Sequence, residues 1–349
     1  MNNVQIWRAA CIIPETASAV TIKFNTDGQP FIYKPGQFIN LTLIINDQAV
    51  TRSYSLSSVP GIDHQPAITV KAVAGGIMSN YIITHAAAIK DWQISGPYGS
   101  FAPTEATYSA KHIVLLAGGS GITPLYSIAR SVVGHSPETN VTLIYANRTQ
   151  NDSIFRKDIA SWQENYRGRI NVHYAFSAHE GEDAGNFIKG RLNKLVTRKL
   201  IKQGIEKPQE DVHYFICGPA GLMKMHHEML ETWQVPASNI FMEWFSPEPI
   251  KEDEVLPQTP QEVLLHFYEQ SNLLDVSVGK TILEAALEDK IPLPYSCKGG
   301  TCGICTAKLT AGKVKMRNNY ALRPSDIDDG MILLCQSFPL TADVTVEIG

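Results

Sequence analysis

Cys297, Cys302 and Cys305 stand in the run Ser296-Cys297-Lys298-Gly299-Gly300-Thr301-Cys302-Gly303-Ile304-Cys305, and Cys335 follows Cys305 after 30 positions. The spacing C-x4-C-x2-C with a distant fourth cysteine suits a [2Fe–2S] core held by four thiolates. Three ligands in one tight loop would wrap one side of the core, and the fourth would close it. Gly299, Gly300 and Gly303 let backbone approach the sulfides, where N–H groups could donate to them and raise the potential. A structural zinc site is the other reading of four cysteines. Zinc usually takes two separated pairs of ligands. Here a triplet meets a singlet, so the spacing favours iron and sulfide. Such a core carries one electron at a time, and the rest of the chain should supply or accept them.

A second candidate is Leu116-Ala117-Gly118-Gly119-Ser120-Gly121-Ile122-Thr123-Pro124-Leu125. It follows an apolar strand and opens a helix. Gly118, Gly119, Ser120 and Gly121 could turn backbone N–H groups toward a pyrophosphate at the helix N-terminus. Tight strand-to-helix turns want glycine in any case. The run departs from G-x-G-x-x-G, with Thr123-Pro124 in the region of the third glycine.

The elements that must position these groups change along the chain. Residues 1–105 read as six or so short strands between Pro/Gly turns, among them 20–24, 38–43 and 67–73, which suggests an antiparallel β-barrel. Within residues 106–245, apolar strands at 112–117, 141–146, 170–176 and 213–217 alternate with helical stretches, the rhythm of an α/β domain with a parallel sheet. Residues 246–260 hold four prolines, one Lys and four acids without apolar periodicity, and read as a stiff, extended linker. Residues 261–349 start with an apolar strand and continue through a helix at 281–288 to the cysteine loop and further short strands. A chain of 349 residues is too long for one ordinary core and suits two or three domains, and these changes of character mark three.

Composition narrows the function classes. The net charge of −4 argues against nucleic-acid binding. Residues 1–245 hold 21 Lys/Arg against 19 Asp/Glu, and residues 261–349 hold 8 against 11, so the tail is acidic and the body slightly basic. Complementary charge of this kind would help the tail dock, and ordinary surface solvation explains it as well. No run of about 18 apolar residues predicts a membrane span, and the N-terminus lacks the pattern of a signal peptide. Cys11 and Cys217 have no partner spacing, which points to a reducing cytoplasm.

The tail resembles plant-type ferredoxins: Cys297–Cys305 matches their ligand loop, and Leu334-Cys335-Gln336-Ser337 the context of the fourth ligand. The resemblance implies an α+β, ferredoxin-like β-grasp domain. Gly-Gly-Ser-Gly-Ile-Thr-Pro at 118–124 is similar to the nicotinamide-nucleotide loop of the ferredoxin–NADP reductase superfamily. Further motifs of that family follow in its order. Arg52-Ser53-Tyr54-Ser55-Leu56-Ser57-Ser58 resembles its R-x-Y-S flavin motif, and Gly75-Gly76-Ile77-Met78-Ser79 its flavin pyrophosphate motif. Gly96-Pro97-Tyr98-Gly99-Ser100-Phe101 resembles the turn ending its flavin domain. Cys217-Gly218-Pro219 resembles its C-G-P motif near the nicotinamide, and Glu243-Trp244-Phe245 the end of its second domain.

The resemblance implies roles for these residues. Arg52 would hold a flavin phosphate, Tyr54 would lie beside the isoalloxazine, and Ser55 would hydrogen-bond flavin N5. Leu56 belongs to the same motif. Gly76, Met78 and Ser79 would open a helix over 78–86 whose N-terminus holds the pyrophosphate. Cys217, Gly218 and Pro219 would sit by the nicotinamide, with the Cys217 thiol positioning it and not acting as a nucleophile. Phe245 would cover the flavin ring. Each group also fits a plain structural part: a strand, a capped loop, a buried small residue, core packing. Ser177-Ala178-His179 lacks the arginine that NADPH-using relatives often place after that serine. Arg148 or Arg191 could substitute, which leaves NADH against NADPH open. His226-His227 reads as helix surface.

The domain order resembles the reductase components of bacterial multicomponent oxygenases, including the phenylacetyl-CoA epoxidase type. It implies electron passage from NADPH or NADH to FAD, to the [2Fe–2S] cluster, and on to an oxygenase, hydroxylase or desaturase. FMN is the alternative flavin, since the phthalate dioxygenase reductase type shares this order. Two other readings stand beside it: an NAD(P)H oxidase or diaphorase using small acceptors, and a tail that is a structural metal or docking module.

Overall fold

The computed structural model describes residues 4–178, 187–205, 207–245, 259–322 and 324–348. The chain divides into two compact units, Met1–Phe245 and Ser246–Gly349. Residues 246–258 of the expected linker, and His179, lie outside the described residues.

The first unit starts with β1 (Gln5–Thr16), β2 (Ala19–Asn25), β3 (Phe38–Ile45), β4 (Gln48–Ser55), β5 (Ala67–Lys71), α1 (Ile77–His85) and β6 (Trp92–Tyr98). The strands pair antiparallel in the order β4-β3-β6-β1-β2-β5. A bridge between Leu56 and Ile68 joins the two ends of that order and closes a barrel. Its interior is filled by Trp7, Phe24, Trp92, Ile39, Leu41 and Leu56. Trp7 and Trp92 both lean on Phe24, with centroids 5.3 and 5.5 Å away, and large aromatic burial of this kind dominates a small core. Helix α1 runs one residue ahead of the expected 78–86, because Gly76 takes the N-cap position.

The α/β part follows with α2 (Glu105–Ser109), β7 (His112–Gly118), α3 (Ile122–His135), β8 (Asn140–Asn147), α4 (Arg156–Asn165), β9 (Ile170–Phe176), β10 (Phe187–Lys189), α5 (Lys194–Lys202), β11 (Val212–Cys217), α6 (Ala220–Thr232) and β12 (Ile240–Glu243). All six strands are parallel, in the order β10-β9-β8-β7-β11-β12. Every residue of β7 is buried, because helices cover both faces of such a sheet. Ile113, Leu115 and Ala117 enter one core and Val114 and Leu116 the other, so the strand period of two persists inside a continuous apolar run.

Helix α3 ties this sheet to the barrel. Ser127 donates to Ser58 O at 2.7 Å. Arg130 grips both oxygens of Asp63 at 2.8 and 2.9 Å, a half-buried two-pronged pair. His226 on α6 corrects the surface reading. Its ring is fully buried, it faces Thr197 of α5 at 3.5 Å, and its Nδ1 has no partner among the described residues, while His227 alone of the pair meets solvent. The helix turns 100° per residue, so neighbouring histidines point to different sides.

The second unit holds β13 (Gln261–Phe267), β14 (Gln270–Val276), α7 (Ile282–Glu288), β15 (Thr306–Ala311), β16 (Val314–Met316), α8 (Pro324–Asp328), β17 (Met331–Leu333), β18 (Ser337–Pro339) and β19 (Val344–Ile348). A mixed sheet runs β14-β13-β19-β15-β17, with β13 and β19 parallel at its centre, and β16 pairs with β18 beside it. This is the expected β-grasp. Helix α7 begins with a capping box between Thr281 and Glu284, and Ile282, Leu283 and Ala286 lie in the core with Val263, Leu265 and Val346.

Candidate functional site

Strands β7 and β11 are parallel neighbours, and both end at the carboxyl edge, where such sheets place ligands. The two loops that leave them touch backbone to backbone. A side chain at Gly121 would meet Cys217 O at 2.1 Å, and one at Gly218 would meet Gly118 N at 2.9 Å. A side chain at Gly118 would strike Pro219 Cδ at 2.6 Å. Gly118, Gly121 and Gly218 therefore serve the meeting of two loops. Gly119 differs. Its φ is +53°, and the nearest neighbour to the place of its missing side chain is Lys71 Nζ at 3.8 Å. Its amide turn is open on that side. Tyr145 donates to its carbonyl at 3.0 Å. Ser120 is half-buried, and Thr123 is buried with its hydroxyl donating to Ser120 O at 2.9 Å, so Thr123 shapes the turn.

Sequence reasoning misses Lys71. It ends β5 of the barrel and brings an ammonium to the open glycine of the other domain. The available signal is its isolation, since it is the sole Lys or Arg between Arg52 and Lys90.

Cys217 and Glu243 are register partners on β11 and β12. Ser55, at the end of β4, donates to Glu243 Oε2 at 3.1 Å. All three side chains are buried. Burial pushes the Glu243 carboxyl up to about 8, with the Ser55 hydrogen bond pulling the other way. Burial, and then the nearby Glu243 carboxylate, push the Cys217 thiol well above its ordinary value. A thiol in that setting stays protonated and is no nucleophile. Glu243 stands in a family motif, yet its motif does not mark it as a chemical group. The signal is an acid closing the apolar strand Ile240-Phe241-Met242.

On β4, Arg52 is exposed, with its guanidinium donating to Thr51 O at 2.7 Å, and Tyr54 packs partly against the barrel core. Leu56 is fully buried and Met78 nearly so, which makes both of them core residues. A plain strand alternation would put Arg52 and Leu56 on one face. The chain instead leaves β3 after Ser55 and crosses toward β5, which turns Leu56 inward. Ser79 is buried, and its hydroxyl accepts from Val73 N at 3.2 Å. What the start of α1 leaves for a ligand is its first-turn N–H groups beside half-buried Gly76. Phe245 is 43% exposed and so is not core. Arg148, just past β8, and Arg191 are exposed. An exposed guanidinium, a free helix start and a partly buried tyrosine fit a flavin dinucleotide.

In the second unit the four thiols gather. The thiols of Cys302 and Cys335 neighbour that of Cys297, and the thiol of Cys335 also neighbours that of Cys305. These contacts hold Cys297 below its ordinary value, through Cys302 first, and Cys305 below it through Cys335. They push Cys302 and Cys335 up. The backbone N–H groups of Gly299 and Thr301 also point at Cys297 Sγ, at 3.4 and 3.3 Å. Gln336 Nε2 lies 3.6 Å from Cys335 Sγ. Gly300 has φ +79° and would clash with Asn318 O if it carried a side chain. Among the described residues no three His, Cys, Asp or Glu side chains converge on one ion position. Backbone N–H groups aimed at a ligand sulfur are what an iron–sulfide core uses to tune its potential, and the loop supplies two of them at Cys297.

Comparison with known proteins gives three domain families in order. Residues 10–102 match the oxidoreductase FAD-binding domain, 115–228 the oxidoreductase NAD-binding domain, and 267–340 the 2Fe-2S iron-sulfur cluster binding domain. The chain is 32% identical to a component of the 1,2-phenylacetyl-CoA epoxidase of Escherichia coli (strain K12), covering 99% of this chain and 98% of that one. It is 31% identical to the ferredoxin reductase component of 3-ketosteroid-9-alpha-monooxygenase from Rhodococcus rhodochrous, over 98% and 96%. Its fold is similar to that of phthalate dioxygenase reductase, with a TM-score of 0.60 at 21% identity over 99% and 98% of the two chains. Among the described residues no helix is long and apolar enough to cross a membrane.

Proposed function

The chain belongs to the ferredoxin–NADP reductase superfamily, in the branch that carries a C-terminal [2Fe–2S] ferredoxin domain, and from that membership we propose that it is the reductase component of a multicomponent oxygenase, hydroxylase or desaturase. Residues 1–105 form its flavin domain, 106–245 its nicotinamide domain and 261–349 its cluster domain, with 246–260 as the linker. Its cysteines are all unpaired, which suits the reducing cytoplasm.

Bound FAD supplies acceptance of a hydride from NAD(P)H with release of single electrons, and the cluster supplies their one-at-a-time passage to a protein acceptor. The residues present bind and orient. Arg52 and the first turn of α1 offer positive charge to the flavin phosphates. The open turn at Gly119, with Lys71 facing it, offers the same to the nucleotide pyrophosphate, and Arg148 lies exposed at the same sheet edge. Cys217, neutral and buried, offers a small apolar wall that leaves room for a ring. Glu243 accepts from Ser55 Oγ and so fixes the orientation of the serine hydroxyl at the seam. Tyr54 and Phe245 present ring faces. Cys297, Cys302, Cys305 and Cys335 would hold the cluster, with the amides of Gly299 and Thr301 already aimed at the first sulfur.

One observation carries this reading: Ser55, Cys217 and Glu243 meet at the seam between the barrel and the carboxyl edge of the sheet. Anaerobic titration of the purified protein with NADH and then NADPH tests it. Bleaching of a flavin band and then of a cluster band is expected, and extracted flavin should be FAD. Fast turnover with a small acceptor alone, unaided by any protein acceptor, would favour the diaphorase reading. Colourless protein, or zinc without acid-labile sulfide, would end the proposal.

A further inference from the structure

Charge in the cluster domain is sharply divided. Residues 290–325 contain seven Lys/Arg and no Asp or Glu, while all eleven acids of 261–349 lie outside that stretch beside a single lysine, Lys280. The domain is acidic in total, yet three of its four thiol ligands stand in a purely cationic segment.

The fold draws this segment around the thiols. Lys298 is exposed inside the ligand loop, and its carbonyl accepts from Gln336 Nε2 at 2.9 Å. Arg317 N donates to Gln336 O at 2.9 Å, and Tyr320 N donates to Gly300 O at 3.0 Å, which sets 317–320 against the loop. Lys315 lies in β16, and Lys313 and Arg317 flank it with backbone bonds to Leu340 and Gln336 that continue the pairing, so the three alternate positions share a face. Lys315 opposes Phe338, and Arg317 lies 4.5 Å above its ring. Tyr295 is 41% exposed, and Lys298 Nζ sits 4.7 Å over its ring. An exposed aromatic among cations next to the redox centre has the make-up of an interface hot spot.

We propose that Tyr295, Lys298, Lys313, Lys315 and Arg317 form a cationic collar on which an acidic protein acceptor docks over the cluster. This rests on the reading of the cluster as the electron exit. A protein is favoured over other polyanions because Lys298 stands inside the ligand loop and 317–320 packs against it, where an acceptor centre has to come near. Like charge would turn basic proteins away, so the collar sorts partners as well as holding them.

Binding is measured with the full-length holoprotein, without pyridine nucleotide, over immobilised cytochrome b5 (an acidic haem protein) and immobilised cytochrome c (a basic one). Wild type should bind the first, bind the second hardly at all, and lose the preference at high salt. Lys313→Glu/Lys315→Glu should weaken the first roughly tenfold and strengthen the second. Lys298→Gln should weaken the first by a smaller factor. Unchanged visible spectra and an unchanged rate of ferricyanide reduction establish that the variants are folded. Equal affinity of wild type and the double variant for cytochrome b5 would overturn the collar, as would equally tight binding of wild type to phosphatidylserine vesicles. A separate arm judges the exit. Each NADH yields two electrons and one proton, so it should reduce two cytochrome b5 haems by one electron each. If Cys302→Ser reduces cytochrome b5 at the wild-type rate, the exit reading fails while the binding result still decides the collar.

Discussion

Ser55 Oγ lies 3.1 Å from Glu243 Oε2, although 188 residues separate the two in the chain. The contact joins the last residue of a barrel strand to the last residue of the sheet's edge strand. It puts a buried acid, raised to about 8 by desolvation, behind the serine of the flavin motif.

The raised carboxyl has a consequence for stability. The unfolded chain loses the Glu243 proton near the ordinary carboxylate value, whereas the folded chain keeps it up to about pH 8. Between those limits the folded state binds more protons than the unfolded one, so stability falls as pH rises. The contribution is complete below the unfolded value and gone above the folded one. Glu243→Gln should flatten this part of the curve, read by urea unfolding of the flavin and nicotinamide domains at intervals from pH 5 to pH 9. It should also remove any inflection near pH 8 in the rate of flavin reduction. A wild-type and variant curve of the same slope would place the charge elsewhere.

Electron exit depends on a complete thiol set. Cys302 is buried beside Cys297, so Cys302→Ser leaves a weaker, harder ligand in the loop. Electron delivery to a protein acceptor should be lost, and flavin reduction by NAD(P)H should persist in stopped-flow. Loss of both would mean that the two functions are not in series.

Much of this is legible from residue order. Thiolate spacing points to the cluster ligands, and the apolar runs at 112–117, 141–146, 170–176 and 213–217 fall inside β7, β8, β9 and β11. Turn-rich alternation marks the barrel. What escapes has a common cause. Lys71 and Glu243 matter because they reach across from one domain of the first unit to the other, and no local pattern reports a contact between distant segments. Leu56, Met78 and Thr123 show the reverse case. They belong to motifs, but their side chains fill core or brace a turn, so a motif position does not by itself mean ligand contact. His226 misleads because a polar residue on a helix reads as surface until the neighbouring helix is known.

Arg52 tests the flavin end. It is exposed and held by Thr51 O alone among the described hydrogen bonds, so its removal costs the fold little. Arg52→Ala should lower flavin retention after gel filtration by roughly tenfold, the scale of one or two charge-assisted hydrogen bonds, with the thermal midpoint of flavin-free protein unchanged. Flavin content equal to wild type would remove Arg52 from the site.

The glycine turn separates packing from binding most cleanly. At Gly121 a methyl group would sit 2.1 Å from Cys217 O, and backbone cannot yield by that much without parting the two loops. Gly121→Ala should therefore destabilise the first unit by about 2–4 kcal/mol, the range of severe overpacking. At Gly119 no backbone atom is near, and the cost is that of a left-handed residue, roughly 1–2 kcal/mol. Gly119→Ala should fold, yet narrow the space between its amide turn and Lys71, and so raise KM for NAD(P)H more than it lowers kcat. Lys71→Ala should show the same pattern without the stability loss. Thermal melts and steady-state kinetics on the three variants decide the matter. If Gly119→Ala melts as low as Gly121→Ala with KM unchanged, the open turn is structural and the pyrophosphate must bind elsewhere along the sheet edge.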